Sequence, residues 1–482
     1  MRSVVNESRP FVPPFAGQRT GNDRRITNCQ NSVRISRSTD ASSVRPNRRH
    51  RSEGTHGRGV RATTVIDAPT LKDLSHEAAR SPFSAGPVTL RPMKLKTLPD
   101  DFEVEELSDF PLGNGPFAVY LLTKRSLGTP EAITAIADRW NLSRRQISYG
   151  GLKDKHAVTR QWLTIHNGPR RDMKQDHFTL AYQGQAVREF GPHDIAANRF
   201  RVVMRSLNRD DAERIVEQCD IVARDGVPNY FDDQRFGSLG ESGEFIAKPW
   251  CLGDYERAVW LALAEPNPHD RPGDRDEKQT IRDFWGRWIE CKAALPKSSR
   301  RSIVTYLCDH PTRFRDALAL FRQDMRSLWL AAFQSDLWNL ILSAWLQERV
   351  DRSRLYKVEL ATANVPFYAE LTDAERASLV ETALPLPSAR LHLDPGPILT
   401  LYESVLADEG LSLRELRVKY PRDSFFSKGE RPAIVIPREL KMHADDDDLS
   451  SGRSRVTLQF VLPRGTYATI FVKRLTELAT EL

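Results

Sequence analysis

Gly150-Gly151-Leu152-Lys153-Asp154-Lys155-His156-Ala157-Val158-Thr159-Arg160-Gln161 is the densest cluster of chemistry-bearing residues in the chain. A glycine pair permits a tight turn. Gln146–Tyr149 runs into it and Val158–Ile165 leaves it with the alternation of a strand. The reading is strand, turn, strand, with a carboxylate at the tip between Lys153 and Lys155. Adjacent cations favour the ionised form of a carboxylate. Such a group can act as a nucleophile, beside a surface that attracts phosphate. The same residues also suit a solvated turn in which Asp154 caps a backbone N–H.

Outward from this stretch the pattern is mixed. Phe102–Leu107, Phe117–Thr123 and Phe200–Met204 read as strands. Between the second of these and the glycine turn lies a helix with Thr129 as N-cap, Pro130 at its first position, and Ile133, Ile136, Ala137 and Trp140 on one face. A second helix starts from Asn208 or Asp210, buries Ile215, Val216, Cys219 and Val222, and ends at Gly226. Helical patterns dominate 226–425, notably Asp324–Val350. Strand character returns at Arg455–Leu462, and Tyr467–Thr476 reads as a closing helix or a strand-to-helix segment. The class is α+β. We divide the chain into a basic tail (1–92), a first catalytic part (93–225), an insertion (226–425) and a closing catalytic part (426–482).

The 482 residues carry a net charge of +7, which suggests a nucleic-acid partner, but its distribution matters. Residues 1–92 hold sixteen Lys and Arg against seven Asp and Glu, or +9; the remainder holds 55 and 57, or −2. RNA would therefore meet a local patch on the folded part. Residues 1–92, rich in Arg, Ser, Gly and Pro, cannot bury enough apolar surface to fold. Met93 opens a segment that reads as a natural start, so 1–92 is expected to be either a disordered basic tail or an overlong gene call. The run Asp445–Asp448 has no metal-ligand spacing and reads as an exposed acidic loop. Five cysteines, none in a C-x-x-C pair, give neither a disulfide framework nor a zinc site. Leu328–Leu346 is apolar but carries Gln334, Asp336 and Asn339, which would be costly in a bilayer. The expectation is a soluble, cytoplasmic protein with no membrane association. Monomer is the default, with no obligate protein partner in view.

Several motifs, in order, resemble those of the TruD family of tRNA pseudouridine synthases. Residues 150–161 are similar to its G-x-K-D-[KR]-[HN]-A-x-T-x-Q signature. Asn229-Tyr230-Phe231-Asp232-Asp233-Gln234-Arg235-Phe236-Gly237 is similar to N-Y-F-x-x-Q-R-F-G. Asp101-Phe102-Glu103-Val104-Glu105-Glu106, Asn198-Arg199-Phe200 with Arg205, and Leu462-Pro463-Arg464-Gly465-Thr466-Tyr467-Ala468-Thr469 resemble three shorter family motifs. The likeness spans about 94–482 and misses 1–92.

The resemblance implies a catalytic domain on a mixed, mainly antiparallel sheet, with an inserted α/β TRUD domain and tRNA spanning both. It implies Asp154 as nucleophile toward C1′ of a uridine, position 13 of the tRNA D-arm, drawn out of its stack. Phe200 is the implied stacking partner, and Phe102 and Tyr467 line the pocket. The family often has Phe where Tyr467 stands. Asn198 can meet the uracil edge. Lys96 can pair with Asp154 or touch phosphate. Lys153, Lys155, His156, Gln234 and Arg235 are candidate RNA contacts. No metal or other cofactor is implied. Two readings compete: an RNA-binding protein without catalysis, and a glycosidase drawing a second carboxylate from Glu103, Glu105 or Glu106.

Overall fold

The alternation in residues 102–107 does form a strand, and it lies inside the sheet that carries the site. The structure is a computed structural model and describes residues 94–481. The expectations for the tail 1–92 lie outside the described residues. From the first part of the chain come β1 (Lys94–Leu95), β2 (Phe102–Leu107), β3 (Phe117–Arg125), β4 (Ile147–Tyr149), β5 (Val158–His166), β6 (Met173–Gln175), β7 (Phe178–Ala186) and β8 (Ala197–Leu207). The middle contributes only two-stranded ladders, from β9 (Val227–Pro228), β10 (Leu355–Glu359), β11 (Asn364–Tyr368), β12 (Ala383–Pro385), β13 (Glu430–Pro432) and β14 (Ile434–Val435). The chain returns to the main sheet with β15 (Arg438–Asp446) and β16 (Ser454–Pro463).

The ten-stranded sheet runs β15-β16-β8-β2-β5-β3-β7-β6, with β1 beside β8 and β4 beside β5. Its ladders are antiparallel except β2 with β5. This is the mixed, mainly antiparallel sheet of an α+β fold. Register sets the site. Val104 faces Phe200, which faces Phe460; Glu106 faces Asn198, which faces Leu462. Residues directly opposed share a face, so Phe102, Val104, Glu106, Asn198 and Phe200 project to one side. Glu103, Glu105, Arg199 and Arg201 project to the other, paired as Arg201–Glu103 and Arg199–Glu105.

Helices cover the sheet. Thr129–Trp140 packs Ile133 and Ile136 onto Tyr120, Leu122 and Leu163. Gly128, not Thr129, is its N-cap. The Thr129 hydroxyl is buried and donates to Gln161 Oε1 at 2.8 Å, because that interior amide competes for it. Arg209–Asp225, capped by Asn208 accepting from the Asp211 N–H, lies with Ala468–Glu481 on the other half of the sheet.

The middle is organised by one long helix, Gln323–Arg349. Trp329, Phe333, Leu337, Trp338 and Ile341 bury it on several sides, as expected of a helix apolar around its girth. Its buried amides are anchors. Asn339 accepts from the Phe231 N–H at 2.8 Å and donates to the Phe231 carbonyl at 2.9 Å. That fixes the 229–237 segment against this helix. Among the described residues no helix is long and apolar enough to cross a membrane.

In the acidic run 445–448, read from sequence as an exposed loop, Asp446 and Asp448 are exposed and Asp447 alone is buried. Asp447 is buried and accepts from Arg205 Nη1 and the Ser206 N–H, each at 2.8 Å, while Asp448 accepts from Arg205 Nη1 at 2.7 Å. The buried Arg205 draws the charge of Asp447 inward.

Candidate active site

The loop between β4 and β5 is held from three sides. Gly150 is required by close packing: a Cβ there would lie 2.5 Å from Ile195 Cδ1, whereas one on Gly151 would meet open space. Neither glycine has positive φ, so Gly150 serves close approach and not a left-handed turn. The Lys153 N–H donates to Thr129 Oγ1 at 3.0 Å, and Gln161 Nε2 donates to the Gly151 carbonyl at 3.2 Å. Lys124 Nζ donates to the Asp154 carbonyl at 2.7 Å. Lys124 is buried, and burial pushes its ammonium down to about 8. Sequence reasoning missed it, although Ala118, Tyr120, Leu122 and Lys124 alternate on one face of β3.

Asp154 is presented into a cleft of about 180 Å³ lined by Phe102, Lys153, Asn198, Phe200, Gln234 and Tyr467 among others. Its Oδ2 is 2.6 Å from Lys96 Nζ, which also lies 4.0 Å from the centre of the Phe102 ring. Of the two partners open to Lys96, the Asp154 carboxylate is the one it meets, while the flanking lysines turn to other acids. Lys153 Nζ lies 2.8 Å from Glu106 Oε1 and donates to Asn198 Oδ1 at 3.2 Å. Lys155 is exposed, 4.0 Å from Glu131. Successive side chains of a loop diverge, and the buried Glu106 offered Lys153 a stronger partner. His156 is exposed and does not line the cleft.

Three rings shape the cleft. Phe200 stacks on Phe460 at 5.5 Å and meets the edge of Phe102 at 6.2 Å. Tyr467 contacts Phe231 edge-on at 6.2 Å. Beneath it sits Arg431, which donates to the Asn229 side chain at 2.6 Å and to the Gly465 carbonyl at 2.5 Å. Its guanidinium lies 4.2 Å from the Phe231 ring centre and 5.9 Å from that of Tyr467. Burial pushes it down to about 10. Carbonyls and ring faces hold this charge and tie the 229–231 segment to the 465–467 turn. Gln234 reaches the cleft; Arg235 turns inward and donates to Ser335 Oγ at 3.1 Å.

Burial is the largest influence on Glu106 and raises its carboxyl, opposed by Lys153 and by the Trp162 N–H. Removing the cation should therefore be costly. Lys153→Met is expected to destabilise the fold by about 3–5 kcal/mol, the usual cost of orphaning a buried charge. Adding Glu106→Gln should recover most of it. Denaturant midpoints of the two variants check this; equal losses would contradict it.

The site is thus a carboxylate in a ring-lined cleft on one face of a mixed sheet. The chain matches the family model described as tRNA pseudouridine synthase D (TruD) over residues 91–475. The chain belongs to the TruD family. It is 30% identical to "Probable tRNA pseudouridine synthase D 2" of Methanocaldococcus jannaschii, covering 79% of this chain and 91% of that one. It is 25% identical to tRNA pseudouridine synthase D of Aquifex aeolicus, covering 80% and 98%. A solved TruD structure from Methanosarcina mazei superposes with a TM-score of 0.61 at 23% identity, covering 80% of this chain and 93% of that one, which shows the shared fold.

Proposed function

We propose that the chain isomerises a uridine of tRNA to pseudouridine, at position 13 of the D-arm, with Asp154 as nucleophile. The observation that carries this is the Asp154 carboxylate, ion-paired with Lys96 inside the cleft of Phe102, Phe200 and Tyr467. The uridine is extruded and its base enters between the rings, which offsets the few kcal/mol of lost stacking. Lys153 takes the Oδ1 side of the Asn198 amide, so its NH₂ side is free to donate to a uracil carbonyl. The carboxylate attacks C1′ and the N1–C1′ bond breaks, the electron pair leaving with the base. The base turns, C5 bonds to C1′ as the ester bond to Asp154 breaks, the C5 proton passes to solvent, and N1 takes up a proton from solvent. A route that first loses a sugar proton would begin at the same carboxylate. Residues 226–425 act in this reading as an inserted unit that grips the folded RNA by shape, in the cytoplasm where tRNA is modified.

The glycosidase reading fares worse. Asp154 is the sole carboxylate among the described residues that line the cleft. Glu103 and Glu105 occupy the opposite face, and Glu106 is paired with Lys153.

The test is incubation of the purified chain with an unmodified tRNA transcript, followed by mapping of pseudouridine. One modified position in the D-arm is expected; no modified position would overturn the proposal. In the same assay Tyr467→Phe should leave turnover nearly unchanged. Tyr467→Ala should lose about 10- to 100-fold, the worth of one stacking ring. Equal losses in both would assign the role to the hydroxyl.

A further inference from the structure

Residues 413–428 carry five Lys and Arg against two acids. Both acids are committed. Glu415 accepts from the Ser412 N–H at 2.7 Å and its hydroxyl at 2.9 Å. Asp423 takes a two-pronged contact from the buried Arg326 at 2.8 and 2.9 Å. The uncommitted charge gathers at a cavity of about 310 Å³ lined by Arg390, Arg417, Arg422, Phe425 and Phe426. Phe426 is buried, but Phe425 is 62% exposed. Among the described residues no ion pair engages any of these three guanidinium groups. Elsewhere in the same region arginines are satisfied, as Arg300 is by Asp274 and Arg376 by Asp225.

An exposed ring amid unpaired arginines matches the two halves of a nucleotide. The ring offers a face to a base, and guanidinium groups grip phosphate oxygens. We propose that this pocket holds a nucleotide of the RNA substrate away from the target uridine, its base on Phe425 and its flanking phosphates on Arg390, Arg417 and Arg422. This rests on the reading of the chain as a tRNA-modifying enzyme, and it supplies a second anchor. The pocket lies within reach of the cleft. The Leu386 N–H bonds to the Gly429 carbonyl, and β13 follows directly. Arg431 of β13 then reaches Gly465, beside Thr466 and Tyr467. Phe426 is five residues from Arg431, a span of at most about 18 Å. One folded RNA can touch both.

The experiment measures binding of an unmodified tRNA transcript to the full chain across a salt series. Wild type is compared with Arg390→Ala/Arg417→Ala/Arg422→Ala, Phe425→Ala and Phe425→Trp, each checked for an unchanged melting temperature. The triple variant should bind at least about tenfold more weakly. Its log Kd against log salt slope should flatten by about two to three, since each phosphate contact contributes about 0.7–0.9. The matching triple Arg→Lys variant should keep the slope, so its behaviour separates charge from folding. Phe425→Ala should weaken binding about tenfold without changing the slope, and Phe425→Trp should restore it. Wild-type affinity and slope in the triple variant would overturn the proposal and leave the surface to a protein partner. Loss of affinity there, with no pseudouridine formed by wild type, would instead overturn the catalytic reading and keep the pocket.

Discussion

Asp154→Asn is expected to lower pseudouridine formation by at least about 10⁴-fold, the scale seen when an attacking group is removed. Affinity for tRNA should stay within a few-fold. The substitution keeps the side chain's shape but removes the charged oxygen that, in the proposed reaction, bonds to C1′. Its structural cost should be small. Asp154 and Lys96 both keep solvent contact, with side chains 38% and 24% exposed, and an ion pair so placed contributes little. The loop does not depend on the carboxylate: Thr129, Gln161 and Lys124 hold it through backbone groups. Single-turnover kinetics and equilibrium binding separate the two effects. Wild-type turnover in the variant would remove Asp154 from the chemistry. Absence of turnover in wild type, with binding intact, would favour the RNA-binding reading.

The second large effect is on stability. Arg205→Ala should destabilise the protein by about 3–5 kcal/mol, since it leaves the buried carboxylates of Asp101 and Asp447 without their cation. Arg205 Nε donates to Asp101 Oδ1 at 2.9 Å and Nη1 to Asp447 Oδ1 at 2.8 Å, and both acid side chains are at most 1% exposed. Asp101 also accepts from the Leu98 N–H at 2.7 Å. The corner therefore holds the segment that carries Lys96 and Phe102, and activity should fall along with stability. Adding Asp101→Asn and Asp447→Asn should recover much of the loss. pH gives a second signature. Burial pulls the Asp447 carboxyl upward, but the Leu449 and Ser206 N–H groups and Arg205 outweigh it and hold it below the usual range. A lowered folded value means stability present above the unfolded value, about 3.9, and lost as pH falls through the folded one. Acid unfolding below about pH 4 should be blunted in the triple variant. An unchanged denaturant midpoint in Arg205→Ala would contradict this account of the corner.

What was legible in the sequence follows from the range of the forces involved. Strands such as Val158–His166 and the helix Gln323–Arg349 announce themselves by alternation and by length. The edge strand Arg438–Asp446 does not, because both of its faces are largely solvated and its residues are polar. Phe178–Ala186 was hidden by its glutamines and glycine. The cleft residues Phe102, Asn198, Phe200 and Tyr467 come together as the family motifs imply, yet their roles still await the experiments above. Charge partners were least legible. Asp154 sits between two lysines in sequence; its pairing with Lys96, 58 positions earlier, was offered by the family motif and not by local charge. Asp447 meets Arg205 across 242 positions. Ion pairs depend on tertiary proximity, which local charge patterning does not encode.

In the proposed reaction an extruded uridine presents its sugar carbon to Asp154 between Phe102, Phe200 and Tyr467. A structure of the Asp154→Asn protein bound to unmodified tRNA tests it most directly. C1′ of one D-arm uridine should lie about 3–3.5 Å from the side chain at position 154, the separation from which attack proceeds, with its base against the rings. A target uridine still stacked in the RNA, or bound with its sugar outside this cleft, would contradict the account.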